Sequence, residues 1–215
     1  MLKLAVPLTA VALAASAEAQ IRPVSRTSTL SSYYLEWDDS GGRLQQWGDT
    51  FTAWVSDDRA FPYTEERLQL SQNQIHVAAD VWGTGWYSQM SRHGWEYAGS
   101  YTGVFVFDLA TAGSYDLSGD LRAAQGSTSV SFYDDTRGVE LFSAASQSFS
   151  TINMDQQGGL LAGRYRLVVS AVGHPIQPLG PGDAHPTVNL TVVPSPTPLA
   201  VLALIALPRR RRAPR

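Results

Sequence analysis

Apolar and polar residues alternate along much of the central chain, with the period of two that places successive side chains on opposite faces of a β-strand. In one run the apolar residues occupy every second position, namely Ile75, Val77, Ala79 and Val81. The same alternation occurs from Tyr115 to Leu121 and from Tyr165 to Ala171. Each segment is therefore predicted to be a strand with one face in the core and the other in water.

Other apolar runs extend this pattern along the chain. Val104 to Phe107 is continuously apolar, which predicts a central strand buried on both faces. Further strands are predicted near residues 127–133, 139–142, 148–153 and 187–193, with Gly, Ser, Asp and Asn between the runs. At least eight strands and no amphipathic helix predict an all-β fold, a two-sheet antiparallel sandwich of jelly-roll type.

One phrase, A-G-x-Y-x-L, occurs at Ala112–Leu117 and again at Ala162–Leu167. Ala98–Tyr101 is a partial third copy. The phrase predicts equivalent strand starts, with the Tyr ring pointing inward and its hydroxyl at the rim of the core.

The N-terminal residues do not follow the strand pattern. Lys3, the apolar segment from Leu4 to Ala15 and a small-x-small site ending in Ala17 and Ala19 occur in the order of an export signal. We predict a signal peptide over residues 1–19, which the Sec export machinery and signal peptidase would recognise. Cleavage after Ala19 would leave Gln20 as the first mature residue of a single β-sandwich domain over residues 20–193.

Residues 194–215 are predicted to form a C-terminal sorting and anchor segment. Nine apolar residues, Leu199 to Leu207, are followed by the arginine cluster Arg209, Arg210, Arg211 and Arg212. As a short transmembrane helix the nine residues would cover ~14 Å of a hydrocarbon core that is ~30 Å thick. The basic block should stay cytoplasmic, which places the body outside the inner membrane. The alternative is a buried apolar strand followed by a basic tail.

Pro194, Ser195 and Pro196, followed by the apolar segment and the arginine cluster, resemble the PEP-CTERM sorting signal. Ser195 stands where that family usually has Glu. The resemblance implies transient anchoring in the inner membrane and cleavage by an exosortase, a membrane transpeptidase of Gram-negative bacteria that make exopolysaccharide. It also implies delivery to the cell surface or extracellular matrix. It covers about the last two dozen residues and implies no activity for the body.

Charge and cysteine content exclude several classes of function. Between Gln20 and Val193 the chain has 10 arginines, no lysine and 18 acidic residues, a net charge of −8 with histidine neutral. Such a body disfavours nucleic acid as a partner. Because the chain has no cysteine, it has no disulfide, no thiolate metal site and no cysteine nucleophile.

All six tryptophans lie between residues 37 and 95, namely Trp37, Trp47, Trp54, Trp82, Trp86 and Trp95. Exposed indole rings can stack on the apolar faces of sugars, whereas buried ones fill a core. Period-two counting places His76, Asp80 and Trp82 on the outer face of one strand. These three residues are our candidate carbohydrate-binding site, with core packing of the rings as the alternative.

The sequence predicts no catalytic or metal-binding residue. The carboxylates occur as adjacent pairs that would point to opposite strand faces, at Asp38-Asp39, Asp57-Asp58, Glu65-Glu66 and Asp134-Asp135. The four histidines match no metal-binding spacing, and no G-x-S-x-G, P-loop or dinucleotide motif occurs. The segment from Asp134 to Gly138 is predicted to be a hairpin turn. We predict no cofactor, although a structural calcium remains open without identifiable ligands.

These features predict an exported, non-enzymatic β-sandwich protein that binds or scaffolds exopolysaccharide. One alternative is an extracellular polysaccharide hydrolase or lyase, which would need two convergent carboxylates in a cleft. The other is a purely structural matrix protein with every tryptophan in its core.

Overall fold

The computed structural model describes residues 20–88, 93–174 and 182–195. The predicted signal peptide, the apolar segment Leu199 to Leu207 and the arginine cluster lie outside these residues. Within them the chain forms thirteen β-strands and no α-helix. In the same residues no helix has the length and hydrophobicity needed to span a membrane.

The first seven strands are β1 (Ile21–Asp38), β2 (Gly41–Phe51), β3 (Asp57–Phe61), β4 (Thr64–Leu70), β5 (Gln74–Val81), β6 (Gly83–Ser88) and β7 (His93–Leu109). The other six are β8 (Gly113–Ala124), β9 (Ser127–Asp134), β10 (Val139–Gln147), β11 (Ser150–Leu160), β12 (Gly163–Val172) and β13 (Asp183–Pro194).

The strands form two sheets that pack face to face. Sheet A has the order β10-β9-β12-β7-β1-β2, and β6 pairs with the part of β7 that extends beyond β12. Sheet B has the order β11-β8-β13-β5-β4-β3. Neighbouring strands are antiparallel throughout both sheets. The predicted two-sheet antiparallel sandwich is therefore confirmed.

The inward faces of the two sheets form one hydrophobic core. In β5 the buried residues are the predicted Ile75, Val77, Ala79 and Val81. Aromatic rings fill the centre of the core, with the ring centroids of Phe107 and Tyr165 5.9 Å apart and those of Tyr115 and Phe132 5.2 Å apart. Alternation between buried and exposed positions thus determines which side of each sheet faces the core.

Most of the predicted local features are confirmed. β8 and β12 begin at the glycines of the repeated phrase, and Tyr115 and Tyr165 are both buried. The Tyr165 hydroxyl donates a hydrogen bond of 2.6 Å to the carbonyl of Leu161. Residues 135–138 form the predicted hairpin turn between β9 and β10, with Gly138 at a φ of 67°.

Two local predictions are wrong. Val104 to Phe107 does lie in a central strand, but only Phe105 and Phe107 are buried, because no described strand packs on the outer face of sheet A. The partial copy at Ala98–Tyr101 lies within β7 and does not start a strand. Its glycine is instead needed for close packing, since a Cβ at Gly99 would clash with the carbonyl of Tyr63 and the hydroxyl of Thr64.

A buried ion pair joins the two sheets. Arg26 of β1 and Glu66 of β4 have fully buried side chains and are 2.8 Å apart. Arg26 also donates to the carboxylate of Asp57 at 3.1 Å and to two backbone carbonyls. Glu66 accepts hydrogen bonds from the hydroxyls of Ser28 at 2.8 Å and Tyr101 at 2.9 Å. Every charge in this network thus has several partners, which is the condition for a buried pair to stabilise a fold.

The network also perturbs its neighbours. Burial and the nearby Glu66 carboxylate raise the pKa of Tyr101 well above its ordinary value, so the phenol remains a hydrogen-bond donor. Burial alone would raise the pKa of Asp57, but hydrogen bonds from Arg26 and Arg59 outweigh it and lower the pKa. The Asp57 carboxylate is therefore held as a structural counter-ion of Arg26.

At one end, sheet A extends beyond sheet B. Four segments form this extension, namely residues 33–38 of β1, 41–47 of β2, 83–88 of β6 and 93–98 of β7. On the side that faces sheet B elsewhere in the sandwich, none of the extension's side chains is fully buried. Among the described residues a single sheet forms this part of the molecule, and no second sheet packs on either of its faces.

Candidate functional site

Two rows of paired residues cross the extension. Both lie on the side of sheet A that packs against sheet B in the rest of the sandwich. One row is Gln45, Tyr34, Tyr97 and Thr84. The next row is Arg43, Glu36, Trp95 and Trp86. Residues in register across antiparallel strands point to the same side, so four aromatic rings and four polar side chains share one surface.

The aromatic face is defined here as Tyr34, Trp86, Trp95 and Tyr97. Trp95 and Tyr97 are two residues apart on β7, and their ring planes are inclined by only 9° with centroids 6.0 Å apart. Trp86 lies opposite Trp95 on β6 and is 50% exposed. The face thus offers parallel rings beside charged and amide groups, an arrangement suited to a ligand with both apolar and hydroxylated surfaces.

A strained turn supports one side of the aromatic face. Tyr63, in the β3–β4 turn, has a φ of 66°, a conformation that costs a residue with a Cβ about 1–3 kcal/mol. Its ring stacks on Tyr97 with centroids 3.8 Å apart and contacts Trp47 edge-on at 6.2 Å. The amide of Trp82 donates to the Tyr63 carbonyl at 3.0 Å. These contacts place the Tyr63 ring against one face of Tyr97 and restrict the position of its side chain.

The tyrosines of the aromatic face are uncharged at neutral pH. Burial, followed by the nearby Glu36 carboxylate, raises the pKa of Tyr34. Burial also raises the pKa of Tyr97, with a further contribution from Tyr63. Both phenols can therefore donate and accept hydrogen bonds.

A groove of about 610 Å³ lies on the opposite side of sheet A, where the extension joins the sandwich. Its floor consists of small residues, Ser31, Gly48, Ala98 and Ser100. The side chains of Tyr33 and Gln46 are in register with this floor, and His174 follows the end of β12. The groove and the aromatic face are thus on opposite sides of one layer of strands.

The candidate site from the sequence lies elsewhere, on the outer face of sheet B. His76, Asp80 and Trp82 are all half-buried, on or directly after β5. Asp80 accepts a hydrogen bond of 2.6 Å from Arg67 and is 2.8 Å from Nδ1 of His185. The Trp82 ring contacts the His185 ring edge-on at 6.3 Å. Asp80 and Trp82 therefore belong to one cluster, and binding of a sugar there stays a prediction.

The structure does not bring His76 into that cluster. His76 is four residues before Asp80 on the same strand, roughly 13 Å away at the usual rise per residue. It is paired with Gln69 and Asn189. The histidine beside Asp80 is instead His185 of β13, which periodicity could not reveal because it contains no information on which distant strand pairs with β5.

The aromatic face itself was not predicted. The clustering of tryptophans between residues 37 and 95 was the available signal, but this range covers β2 to β6 completely and so includes strands of both sheets. The structure is needed to distinguish Trp86 and Trp95, which lie on the aromatic face, from Trp54, which packs on the core. Trp54 packs edge-on against buried Phe105 at 6.1 Å, whereas Trp86 is exposed.

Two acidic residues of β1 lie on the same side of the extension as the aromatic face. Glu36 and Asp38 share one side of β1, as the alternation of the strand requires. Hydrogen bonds from the side chain and backbone of Ser40 lower the pKa of Asp38. In the described ranges no group of three or more histidine, aspartate or glutamate residues could hold a metal ion.

Comparison with known proteins gives only weak similarities. No family model matches the chain, and no curated protein matches it. A carbohydrate-binding module, TmCBM61, solved in complex with β-1,4-galactotriose, is 13% identical over 60% of this chain and 88% of that chain, with a TM-score of 0.34. The empty particle of cowpea mosaic virus is 8% identical over 81% of this chain and 84% of that chain, with a TM-score of 0.29. Similarities this weak establish nothing about ligand binding.

Proposed function

We propose that this protein is an exported, non-enzymatic β-sandwich that binds a neutral polysaccharide through the aromatic face. The observation that carries the proposal is the set of in-register rings on the extension, where Trp86 is 50% exposed and Tyr97 is stacked against Tyr63. The C–H face of a sugar ring is apolar and stacks on indole or phenol rings, while its hydroxyls need polar partners. Glu36, Arg43, Gln45 and Thr84 provide such partners beside the rings.

Charge supports a neutral ligand over an acidic one. The body carries a net charge of −8, which repels a polyanion at long range. Arg43 is the only cation in the two rows that cross the extension on this side, and Glu36 lies directly opposite it. Binding should therefore depend on stacking and hydrogen bonds, and should change little with salt concentration.

The buried carboxylate pair does not support hydrolysis. A glycosidase places two carboxylates ~5 to 9.5 Å apart on either side of a scissile bond. Glu66 and Asp57 both contact Arg26, and the Glu66 side chain is fully buried, so this pair cannot reach a polysaccharide. A purely structural role accounts for Trp54, which packs on the core, but leaves the exposure of Trp86 unexplained.

The test is binding of the protein to a panel of polysaccharides, namely galactan, xylan, mannan and alginate. Trp95→Ala should weaken binding to the best neutral polysaccharide by about 30-fold, because losing a stacked ring costs about 2 kcal/mol. Trp86→Ala should also weaken binding to this polysaccharide. Neither change should lower the melting temperature by more than a few degrees, since both rings lie outside the core.

Trp82→Ala is the matched control, because it removes an indole from the outer face of sheet B. It should leave binding through the aromatic face intact. If Trp82→Ala abolishes binding while Trp95→Ala does not, the ligand lies on sheet B and the proposed site is wrong.

Export and sorting form the second part of the proposal, and they rest on the sequence of the two ends. The exported protein should begin at Gln20, or be blocked by cyclisation of that residue, when its N-terminus is sequenced. Recovery of exported protein with Met1 intact would contradict the signal peptide.

Replacing Arg209 to Arg212 by Ser should reduce retention at the inner membrane without changing the melting temperature of the body.

A further inference from the structure

The groove on the opposite side of sheet A has the properties of a second binding site. Its volume of about 610 Å³ falls within the ~300–1,000 Å³ typical of ligand pockets. Gly48 lies opposite Ser31, and Ala98 lies opposite Tyr33, so the floor has little side-chain bulk. A Cβ at Gly48 would lie 2.7 Å from the carbonyl oxygen of Leu30, so the depression depends on glycine at this position.

The groove is lined by hydroxyl, amide and imidazole groups. Its described lining contains serine hydroxyls, the amide of Gln46, the phenol of Tyr33 and the imidazole of His174, but no Arg, Lys, Asp or Glu. The hydroxyls of Ser31 and Ser100 are 2.7 Å apart on the floor. The Tyr33 hydroxyl donates to Glu96 at 3.2 Å, which fixes the edge of its ring. Such a surface fits an uncharged, hydroxylated ligand better than an ion.

The position of the groove distinguishes it from the aromatic face. Ser31 and Tyr33 alternate with Ser32 and Tyr34 along β1, so the two surfaces point to opposite sides of the same strands. Tyr63 and Thr64 pack on Gly99 from the side of the aromatic face. The sheet therefore separates the two surfaces, and one sugar unit cannot contact both.

We propose that the groove binds a second saccharide and that the protein cross-links two polysaccharide segments, one on each side of the extension. This inference rests on the proposed function, since it takes the aromatic face as the first site. Two sites on one rigid sheet hold two segments at a fixed separation, which gives avidity without any contact between them.

Bridging can be tested with beads that carry coupled galactan, xylan or mannan, incubated with the full chain and the same polysaccharide labelled with fluorescein. Wild-type protein should recruit the labelled chain to the beads. Ser31→Tyr fills the floor of the groove from an exposed position and should still bind the beads, but should recruit at least 10-fold less labelled chain. Thr27→Tyr is the matched control, on the same side of β1 outside the groove, and should bridge normally.

The outcomes separate the two proposals. If wild-type protein binds the beads and Ser31→Tyr bridges as well as Thr27→Tyr, the groove is not a saccharide site and the cross-linking inference is overturned. It is also overturned if Trp95→Ala with Trp86→Ala abolishes every trace of bead binding, because the groove should retain some. If wild-type protein binds none of the beads, the proposed function itself fails.

Discussion

Replacing Glu66 with alanine is expected to destabilise the fold by about 3–5 kcal/mol. The change removes the closest carboxylate partner of Arg26, whose guanidinium is fully buried. It also leaves the hydroxyls of Ser28 and Tyr101 without their carboxylate acceptor. Because the pair links β1 of sheet A to β4 of sheet B, the loss should appear in the cooperative unfolding of the sandwich. Urea denaturation followed by tryptophan fluorescence measures it.

Two further variants make the test specific. Glu66→Gln keeps the size of the side chain and one acceptor, so it should lie between wild type and Glu66→Ala. Asp108→Ala removes a surface partner of Arg164, with the Arg164 and Asp108 side chains 50% and 41% exposed, and should change the unfolding midpoint far less. Equal midpoints for Glu66→Ala and Asp108→Ala would mean that the buried network does not hold the sheets together.

Gly99→Ala is expected to cost about 3 kcal/mol of stability and to weaken saccharide binding as well. The added Cβ would be driven into the backbone of Tyr63 and the hydroxyl of Thr64. Moving the turn away would break the hydrogen bond from the Trp82 amide and separate Tyr63 from Tyr97. One substitution should therefore affect both the core and the aromatic face.

The matched control for Gly99→Ala is Gly159→Ala on the edge strand β11. A Cβ at Gly159 would meet nothing within 4 Å, so its melting temperature should stay close to that of wild type. Thermal unfolding of both variants, followed by binding of each to the best polysaccharide of the panel, measures the two effects. If the Gly99→Ala protein has the same melting temperature as wild type, the Tyr63 turn is not fixed against β7.

The sequence predicted the strands whose buried positions are apolar and missed those whose buried positions are polar. β5 alternates Ile, Val and Ala with polar residues, and its inward face follows directly. In β1 the inward positions include Arg26, Ser28 and Ser32, so the hydrophobic period is absent. Arg26 and Ser28 are buried because both bind Glu66 on the other sheet, which lies 40 positions from Arg26 in the sequence. Local periodicity in the sequence carries no information about that pairing between the sheets.

The candidate site was predictable only in its composition. The density of tryptophan before residue 96 indicated aromatic chemistry, but the strand register decides which rings share a face. Tyr34 and Tyr97 become neighbours through the pairing of β1 with β7, and Asp80 meets His185 through the pairing of β5 with β13. The extension of sheet A beyond sheet B could not be predicted from local sequence either, because it depends on the lengths of strands in both sheets.

A saccharide is expected to stack on the aromatic face. The most direct measurement follows the indole N–H signals of the six tryptophans in ¹H–¹⁵N NMR spectra, assigned by single Trp→Phe variants, during titration with a neutral oligosaccharide from the best polysaccharide. The signals of Trp86 and Trp95 should shift most, while that of Trp54, packed on the core, should stay in place. Shifts confined to Trp82, with Trp86 and Trp95 unchanged, would contradict the claim.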